Sequence, residues 1–502
     1  PIALRVNDRV RIEVALEMGQ VSDQVTVTAQ APLLETSSSS RGQVIDNLQI
    51  SELPLNGRNP FSLMSIAVGV QQSRGATIYS RPYDNGALAD FSINGGRVGI
   101  NEYQIDGAPD NANTGRANIA YSPPAEATQE FKVQTNTYDA QYGRTAGGII
   151  SVSIKPGTNS LHGAAYEYMR RTGWQANQFS NNALGVARPM RLNDQYGFEL
   201  DGPVTIPRLY SGKNRTFFMV ALERERDKLP RSFLGSVPTQ EQRNGDFSQT
   251  LNPSGNVYTI YDPLTVTANP KFDPAKPVTL SNLMYLRTPF PNNRVPQDRM
   301  SPLAVRVLKD IPLGNQAGNA ITQLNNWYYG SGTTDSAYQS FIARVDHTLS
   351  DAWKIFGRWH HSFRDGAGSK DFYNWNTPAT FAAKGGRTND GAVVDVVGTF
   401  SPRTILNARV GFTRFVEDQT RVDALPVVDL VEMGFPRSFV SQLDYPTVYP
   451  VFKWQDYLGT SVGLSSRLPS DTYAAQGTLM RIQGGHSMKF GAEFRLLHFS
   501  NI

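Results

Sequence analysis

Cysteine is absent from this 502-residue chain. That removes disulfides, thiolate nucleophiles and cysteine zinc sites together. Long apolar runs are absent as well. The longest, residues 63–70, falls far short of the ~20 residues that a membrane-spanning helix needs. Helical spans are excluded, but spanning strands are not, because alternating strands average out as hydrophilic. A mean hydropathy of -0.37 fits that case. Charge of one sign is scarce: 48 basic residues stand against 44 acidic ones, a net +4. No clustered basic stripe is visible, so nucleic acid is not an expected partner.

Catalytic patterns are missing too. There is no G-x-S-x-G and no P-loop, and nothing supplies a nucleophile with a tuned acid–base pair. The six histidines lack metal-ligand partners. His360 and His361 are adjacent in a strand pattern and so point to opposite faces, unable to share one ion. The expectation is a protein that is not an enzyme and that has no cofactor and no metal.

What the chain has in quantity is tyrosine (21), phenylalanine (25), glycine (43) and proline (31), the makings of many strands and turns. Residues 1–30 carry two alternating runs, RVRIEVALE and DQVTVTA, which read as closing strands of a small β-sandwich. Residues 31–40, with four serines, read as a linker. Residues 41–156 read as a compact α+β domain. In LNGRNPFSLMSIAVGV, Asn59 can cap a helix opened by Pro60. Phe61, Met64 and Val68 would share a face and Gly69 would stop it. SINGGRVGINEYQIDG reads as a hairpin around Gly95-Gly96, and SPPAEATQEFKVQT as a short helix running into a strand.

From residue 157 onward helices give way to a rhythm of strands at 161–170, 193–204, 215–225, 337–349, 352–364, 389–400, 404–417, 471–483 and 486–499. In NARVGFTRF, Ala408, Val410 and Phe412 oppose Arg409 and Thr413. In MKFGAEFRL, Phe490, Ala492, Phe494 and Leu496 oppose Lys489, Glu493 and Arg495. Connections alternate between short and long, the long ones at 171–192, 226–336, 365–388 and 418–470. A membrane barrel sorts its loops in this way, with short periplasmic turns, long external loops, an apolar outer face and a polar lumen. Trp353, Trp359, Tyr166 and Tyr168 are candidates for its interfacial aromatic girdle, with barrel packing or loop contact as the alternative for each. The 226–336 connection is far longer than an ordinary loop and reads as a cover over the pore that helps select substrate. Nine strands do not close a barrel. Together with an opening at Pro1, without a signal sequence, and an ending inside a strand pattern, they make a fragment the expectation.

Several motifs then occur in a familiar order: DQVTVTAQAPLLET, ISELPLNGRNPFSLMSIAVGV, SINGGRVGINEYQIDGAPDN, EFKVQTNTYDAQYGRTAGGIISVSIKPGTN and LHGAAYEY. The chain resembles TonB-dependent outer-membrane receptors of the Oar-like type, frequent in acidobacteria and myxobacteria. The match runs motif by motif to about residue 225, and beyond that rests on strand rhythm and on ARVDHTLSDAWKIFGRW. The resemblance implies a carboxypeptidase-regulatory-like sandwich, a plug at 41–156, and at 157–502 the first part of a transmembrane antiparallel barrel of about 22 strands. It also implies a Gram-negative outer membrane, with lipid around the barrel and the N-terminal part facing the periplasm. The implied function is energy-coupled uptake of an external substrate, with adhesion or an export-associated role as the alternative.

Two sets of candidate residues follow. A TonB-type protein grips an extended peptide by strand addition, and Val25, Thr26, Val27, Thr28 and Ala29 match that need. The same five residues could equally complete the sandwich, and both readings stay open. Asp106, Asp110, Asn111 and Asn113 in IDGAPDNANTG fail the spacing of a calcium loop. They read as a plug turn or apical loop from which ligand could be touched.

Overall fold

The computed structural model describes residues 41–502, apart from 54, 56, 73–89, 115–116, 137, 178, 184, 186, 189, 367–372, 374, 376, 381–384, 421–426, 445–446, 461–465 and 502. The two N-terminal runs, including Val25 to Ala29, therefore lie outside the described residues.

A small domain comes first. Its sheet is built from β1 (Arg41–Asp46), β2 (Glu102–Ile105), β3 (Ala108–Pro109), β4 (Thr128–Asn136) and β5 (Ile149–Ile154). The spatial order is β1-β4-β5-β2-β3, with only β2 and β5 parallel. Asp46 caps the helix Asn47–Glu52 through a capping box with Gln49, which satisfies two of its orphan N–H groups. Asn59 accepts from the Phe61 N–H at 2.9 Å and opens a 3₁₀ helix, Pro60–Ile66. Phe61 and Met64 are buried in the core as expected, but Val68 is 85% exposed. The helix stops at Ile66, so Val68 leaves the face that a longer α-helix would have given it.

The Gly95-Gly96 turn is present, with Asn94 and Gly95 at positive φ. Its two arms do not pair with each other, however. Phe91–Ile93 pairs with Val70–Gln72, and Glu102–Ile105 pairs with β5 instead. Turn chemistry fixed the bend, while packing chose the partners.

The nine predicted strands all form. They are β6 (His162–Arg171), β7 (Leu192–Pro203), β8 (Thr216–Gly235), β9 (Trp327–Ser350), β10 (Trp353–Gly366), β11 (Gly385–Ser401), β12 (Thr404–Thr420), β13 (Ser466–Gln483) and β14 (His486–Phe499). They make one antiparallel sheet in sequence order, a partial barrel wall. β8 and β9 run well past their expected ends. At ~3.3 Å per residue a 24-residue strand reaches about 80 Å, far more than a tilted crossing needs. The surplus carries the chain beyond the membrane. There the connections 226–336, 365–388 and 418–470 share a separate apolar core, including Val237, Val307, Ile311, Trp327, Trp375, Leu430 and Tyr449. These three loops thus form one folded cap rather than independent arms.

Alternation sorts the wall. Val345, Trp359, Val410, Phe494 and Leu496 are exposed on the outer face, while Arg344, Arg409 and Arg495 on the same strands reach inward to acids. Trp359 lies in one cross-strand row with Phe412, Tyr473 and Leu496, and Trp353 packs edge-on against Phe400. Tyr166 and Tyr168 do not belong to that girdle. Both rings lie under Arg58 of the small domain, at 5.4 and 4.0 Å, because even-numbered positions of β6 face the lumen.

Phe494→Arg should therefore cost about 2–4 kcal/mol by placing a charge in lipid. Glu493→Gln, one residue earlier and facing the lumen, should cost under about 1 kcal/mol. Unfolding of the full-length protein from lipid vesicles by urea separates the two, and equal losses would contradict the assignment of faces.

Candidate functional site: the seat of the small domain in the wall

The turn IDGA is the centre of this contact. Asp106 and Gly107 both have positive φ, 49° and 73°. That pair of values makes the two-residue hairpin linking β2 to β3, for which Asp-Gly is a preferred sequence. Pro109 closes β3 at the edge of the sheet, where its missing donor does no harm.

Three arginines from three wall strands converge on the turn. The Asp106 carboxylate meets Arg344 Nη1 and Arg358 Nε, each at 3.1 Å, and one of its oxygens also accepts from the Ile154 N–H at 3.0 Å. Asp106 and Arg358 are each only 3% exposed at the side chain. Arg344 is held in turn by Asp346 at 2.8 Å. Arg409, paired to Asp395 at 2.7 Å, lies directly over Gly107. A Cβ there would sit 1.8 Å from its Nη1, so this site needs glycine for space as well as for φ.

The contact continues along the chain. Thr413 donates to the Pro109 carbonyl at 2.8 Å, and the Asn113 N–H donates to Ser470 Oγ at 3.0 Å. These partners lie progressively nearer the long-loop ends of β12 and β13, so the segment climbs the wall. Elsewhere, Glu102 pairs with Arg495 at 2.5 Å, and Arg58 pairs with Glu126. Tyr121 stacks on His360 at 3.9 Å and shares a 2.8 Å hydrogen bond with Ser340. His361, as its adjacency to His360 required, is on the opposite face with Asp390. The small domain thus touches the wall from β6 to β14.

The four residues read as a plug turn or apical loop have protein partners. Asp106 is committed to the two arginines. Asp110 is buried and accepts from the Tyr121 N–H. Asn111 bridges the backbones of Tyr103 and Asn101 at 3.0 Å each. Asn113 is half-buried and engages the wall through its backbone. Arg409 and Arg495 were legible as lumen-facing positions, and so was Arg344 from the alternating run SFIARVDHTL, where Phe341, Ala343, Val345 and Leu349 oppose Arg344, Asp346 and Thr348. Arg358 was not singled out, although its place in KIFGRW puts it on the lumen-facing parity. Among the described residues no group of three acidic or histidine side chains could hold a metal.

Burial acts on the carboxylates of the small domain. It pushes Asp110 well above its usual value near 3.8, against the opposing pull of Arg358 and of the Tyr121 N–H. Glu102 is raised for the same reason, with Arg495 working against the shift.

Comparison with known proteins places this geometry. The profile of the outer membrane beta barrel domain family matches residues 153–502. The TonB-dependent transporter Oar of Myxococcus xanthus is 25% identical over 223 residues, 42% of this chain and 19% of that protein. The outer membrane transporter YddB of Escherichia coli superposes with a TM-score of 0.51 at 12% identity, covering 90% of this chain and 48% of that one. This chain therefore spans about half of the solved transporter.

Two outcomes follow from the seat. Asp106→Ala leaves Arg344 and Arg358 without their shared anion and should loosen the small domain by about 3–5 kcal/mol, read as faster proteolysis within residues 41–154 of the folded protein. Asp110 has a raised native pKa, so the folded domain binds its proton more tightly than the unfolded chain does. The associated stability is present at low pH and lost as pH rises from about 3.8 through the raised native value. Asp110→Asn should flatten that dependence in a series of unfolding curves across pH. An unchanged slope would contradict the buried-carboxylate account.

Proposed function

Because this chain belongs to the outer membrane β-barrel domain family, we propose that it forms the plug-bearing part of a TonB-dependent receptor that draws an external substrate across the outer membrane. One observation carries the reading: a small domain with its own five-stranded sheet is fastened to the lumen-facing side of the wall by buried ion pairs, centred on Asp106. Apolar contact alone would also block a passage. Buried charge pairs add a fixed register and a high cost of separation, about 3–5 kcal/mol if one partner is removed. Displacing such a plug calls for outside work, and a pull from an energised periplasmic protein can supply it. The similarity to the Oar transporter supports that coupling.

On this reading residues 41–156 are the plug, 157–502 the first part of the barrel, and 226–336 the main part of the external cap. Residues 1–30 end a carboxypeptidase-regulatory-like sandwich, joined to the plug by the linker at 31–40. Val25, Thr26, Val27, Thr28 and Ala29 are the peptide offered to TonB, or the last sandwich strand when TonB is not engaged. Asp106, Asp110 and Asn111 set the plug in its seat. Asn113, highest on the wall of the four, is the position from which ligand is met. Adhesion is the second reading, favoured by Leu264, Val278 and Leu280, which are 79%, 60% and 94% exposed on the cap.

Strand addition runs through backbone hydrogen bonds, so Val27→Pro should abolish energy-dependent uptake per folded receptor while surface binding of ligand persists. Val27→Ile should be nearly silent. The check is uptake measured beside crosslinking of a residue-27 probe to TonB. Normal uptake and crosslinking by correctly folded Val27→Pro receptor would sink the coupling role of this peptide.

A further inference from the structure

The run LERERDK on β8 alternates charge with the period of the strand. Glu223, Glu225 and Asp227 face the lumen side and are 1%, 3% and 1% exposed. Arg224 and Arg226 face outward and are exposed, with Lys228 half-buried beside them. In the sequence the charges cancel. In the sheet they separate completely, acids inside and bases outside.

The outward bases begin where the apolar face ends. Phe218, Val220 and Leu222 precede Arg224 on the same face of β8. On neighbouring β7, Leu200 is opposite Val220, Phe198 opposite Leu222, Tyr196 opposite Arg224 and Asp194 opposite Arg226. The acids on this face are mostly taken: Asp194 pairs with Arg171, and Asp335 with Lys228 at 3.3 Å. Glu167 is opposite Tyr196 on β6, two strands from Arg224, and Asp365 on β10 is in the row of Arg226 beyond Ala337, so each acid is about 10 Å away. Arg224 donates to the neutral Gln339 at 3.1 Å, and among the described residues Arg226 has no ion pair. Two arginines, about 7 Å apart along the strand, are left without a carboxylate. Farther round the wall, the outward charges His361–Asp390, Arg414–Asp471 and His498–Asp471 lie together at 2.7, 3.7 and 3.9 Å. The excess of positive charge is local to β6–β8.

We infer that Arg224 and Arg226, flanked by Arg171 and Lys228, seat the phosphate headgroup of an outer-leaflet lipid. The site is continuous with the face that meets hydrocarbon, on the long-loop side of the sheet, so its occupant has to be amphipathic with a headgroup at this height. Charge complementarity makes that headgroup an anion, and the planar guanidinium fork suits phosphate oxygens in pairs. Directly below, Phe198 and Leu200 are 42% and 36% exposed and give an acyl chain an apolar track. A small soluble anion would use only the upper half of this surface.

The test takes the full-length protein in detergent and counts bound lipid by native mass spectrometry, with diphosphorylated lipid A, its phosphate-free form and inorganic pyrophosphate as probes. Wild type should retain the diphosphorylated lipid and release the phosphate-free one. Since each basic residue near a charged bilayer contributes about a fivefold factor, Arg224→Gln with Arg226→Gln should weaken retention about tenfold to thirtyfold. Arg226→Lys should keep most of it. Heat-modified gel mobility reports whether each variant is folded. If the double variant fails to fold, Arg226→Gln alone, which removes no ion pair, should still lose about fivefold. Undiminished retention by a folded glutamine variant would overturn the proposal. So would equal binding of the phosphate-free lipid, or displacement by pyrophosphate at equal concentration.

Discussion

Inside a bilayer no water is available to satisfy backbone N–H and C=O groups, and this constraint governs the rest of the molecule. It forces the chain into a hydrogen-bonded ladder across the membrane. A ladder of extended strands assigns each successive side chain to the opposite face. Every other property of the wall follows from that assignment. Arg409 can reach Asp395 and Gly107 because Val410 faces outward, and Arg495 can reach Glu102 because Phe494 and Leu496 do. One register therefore sets the lipid face and the seat of the small domain together. A one-residue slip would exchange them.

The seat itself shows why charge is used where apolar packing was available. Met219, Ala221 and Ile342 of the wall already join the core of the small domain. Those contacts give adhesion, but apolar surfaces slide over one another at little cost. Asp106 between Arg344 and Arg358 admits one position, since a shift of a few ångströms would strand three desolvated charges. Gly107 under Arg409 sharpens the fit by excluding any side chain. Such an interface is rigid while closed and weak once its pairs are hydrated.

Legibility in the sequence followed the same physics. All nine wall strands could be read, because alternation is enforced wherever one face meets lipid. Their outer ends could not. Beyond the membrane β8 and β9 continue under the cap, where Trp327 and Val237 are buried by loops distant in sequence, and no local signal marks that change. The hairpin expected at Gly95-Gly96 failed for a related reason: turn residues specify a bend, not which strand receives each arm. In the seat, the Asp-Gly turn and three of the four arginines were visible as types and parities. Their convergence was not, since Asp106 and Arg344 are 238 residues apart. For Tyr166 and Tyr168 girdle and barrel packing stayed open, because an aromatic in the middle of β6 fits lipid and lumen equally well until the parity of that edge strand is known.

The same parity explains how a chain with little net charge comes to carry strongly charged surfaces. Composition sums over both faces of every strand, so LERERDK contributes almost nothing to the total. Folding separates its terms, placing three acids against the lumen side and three bases outside. The inner acids are answered by Tyr166, Asn193 and Arg191, at 2.9, 2.7 and 2.7 Å. The outer bases have no such complement in Arg226. The inner carboxylates also cannot neutralise the outer guanidinium groups, because the ladder holds the two sets on opposite sides of the sheet. A basic surface on a strand therefore need not appear as a basic run in the sequence. It appears as a period of two, and the sheet that enforces the period decides which side it faces.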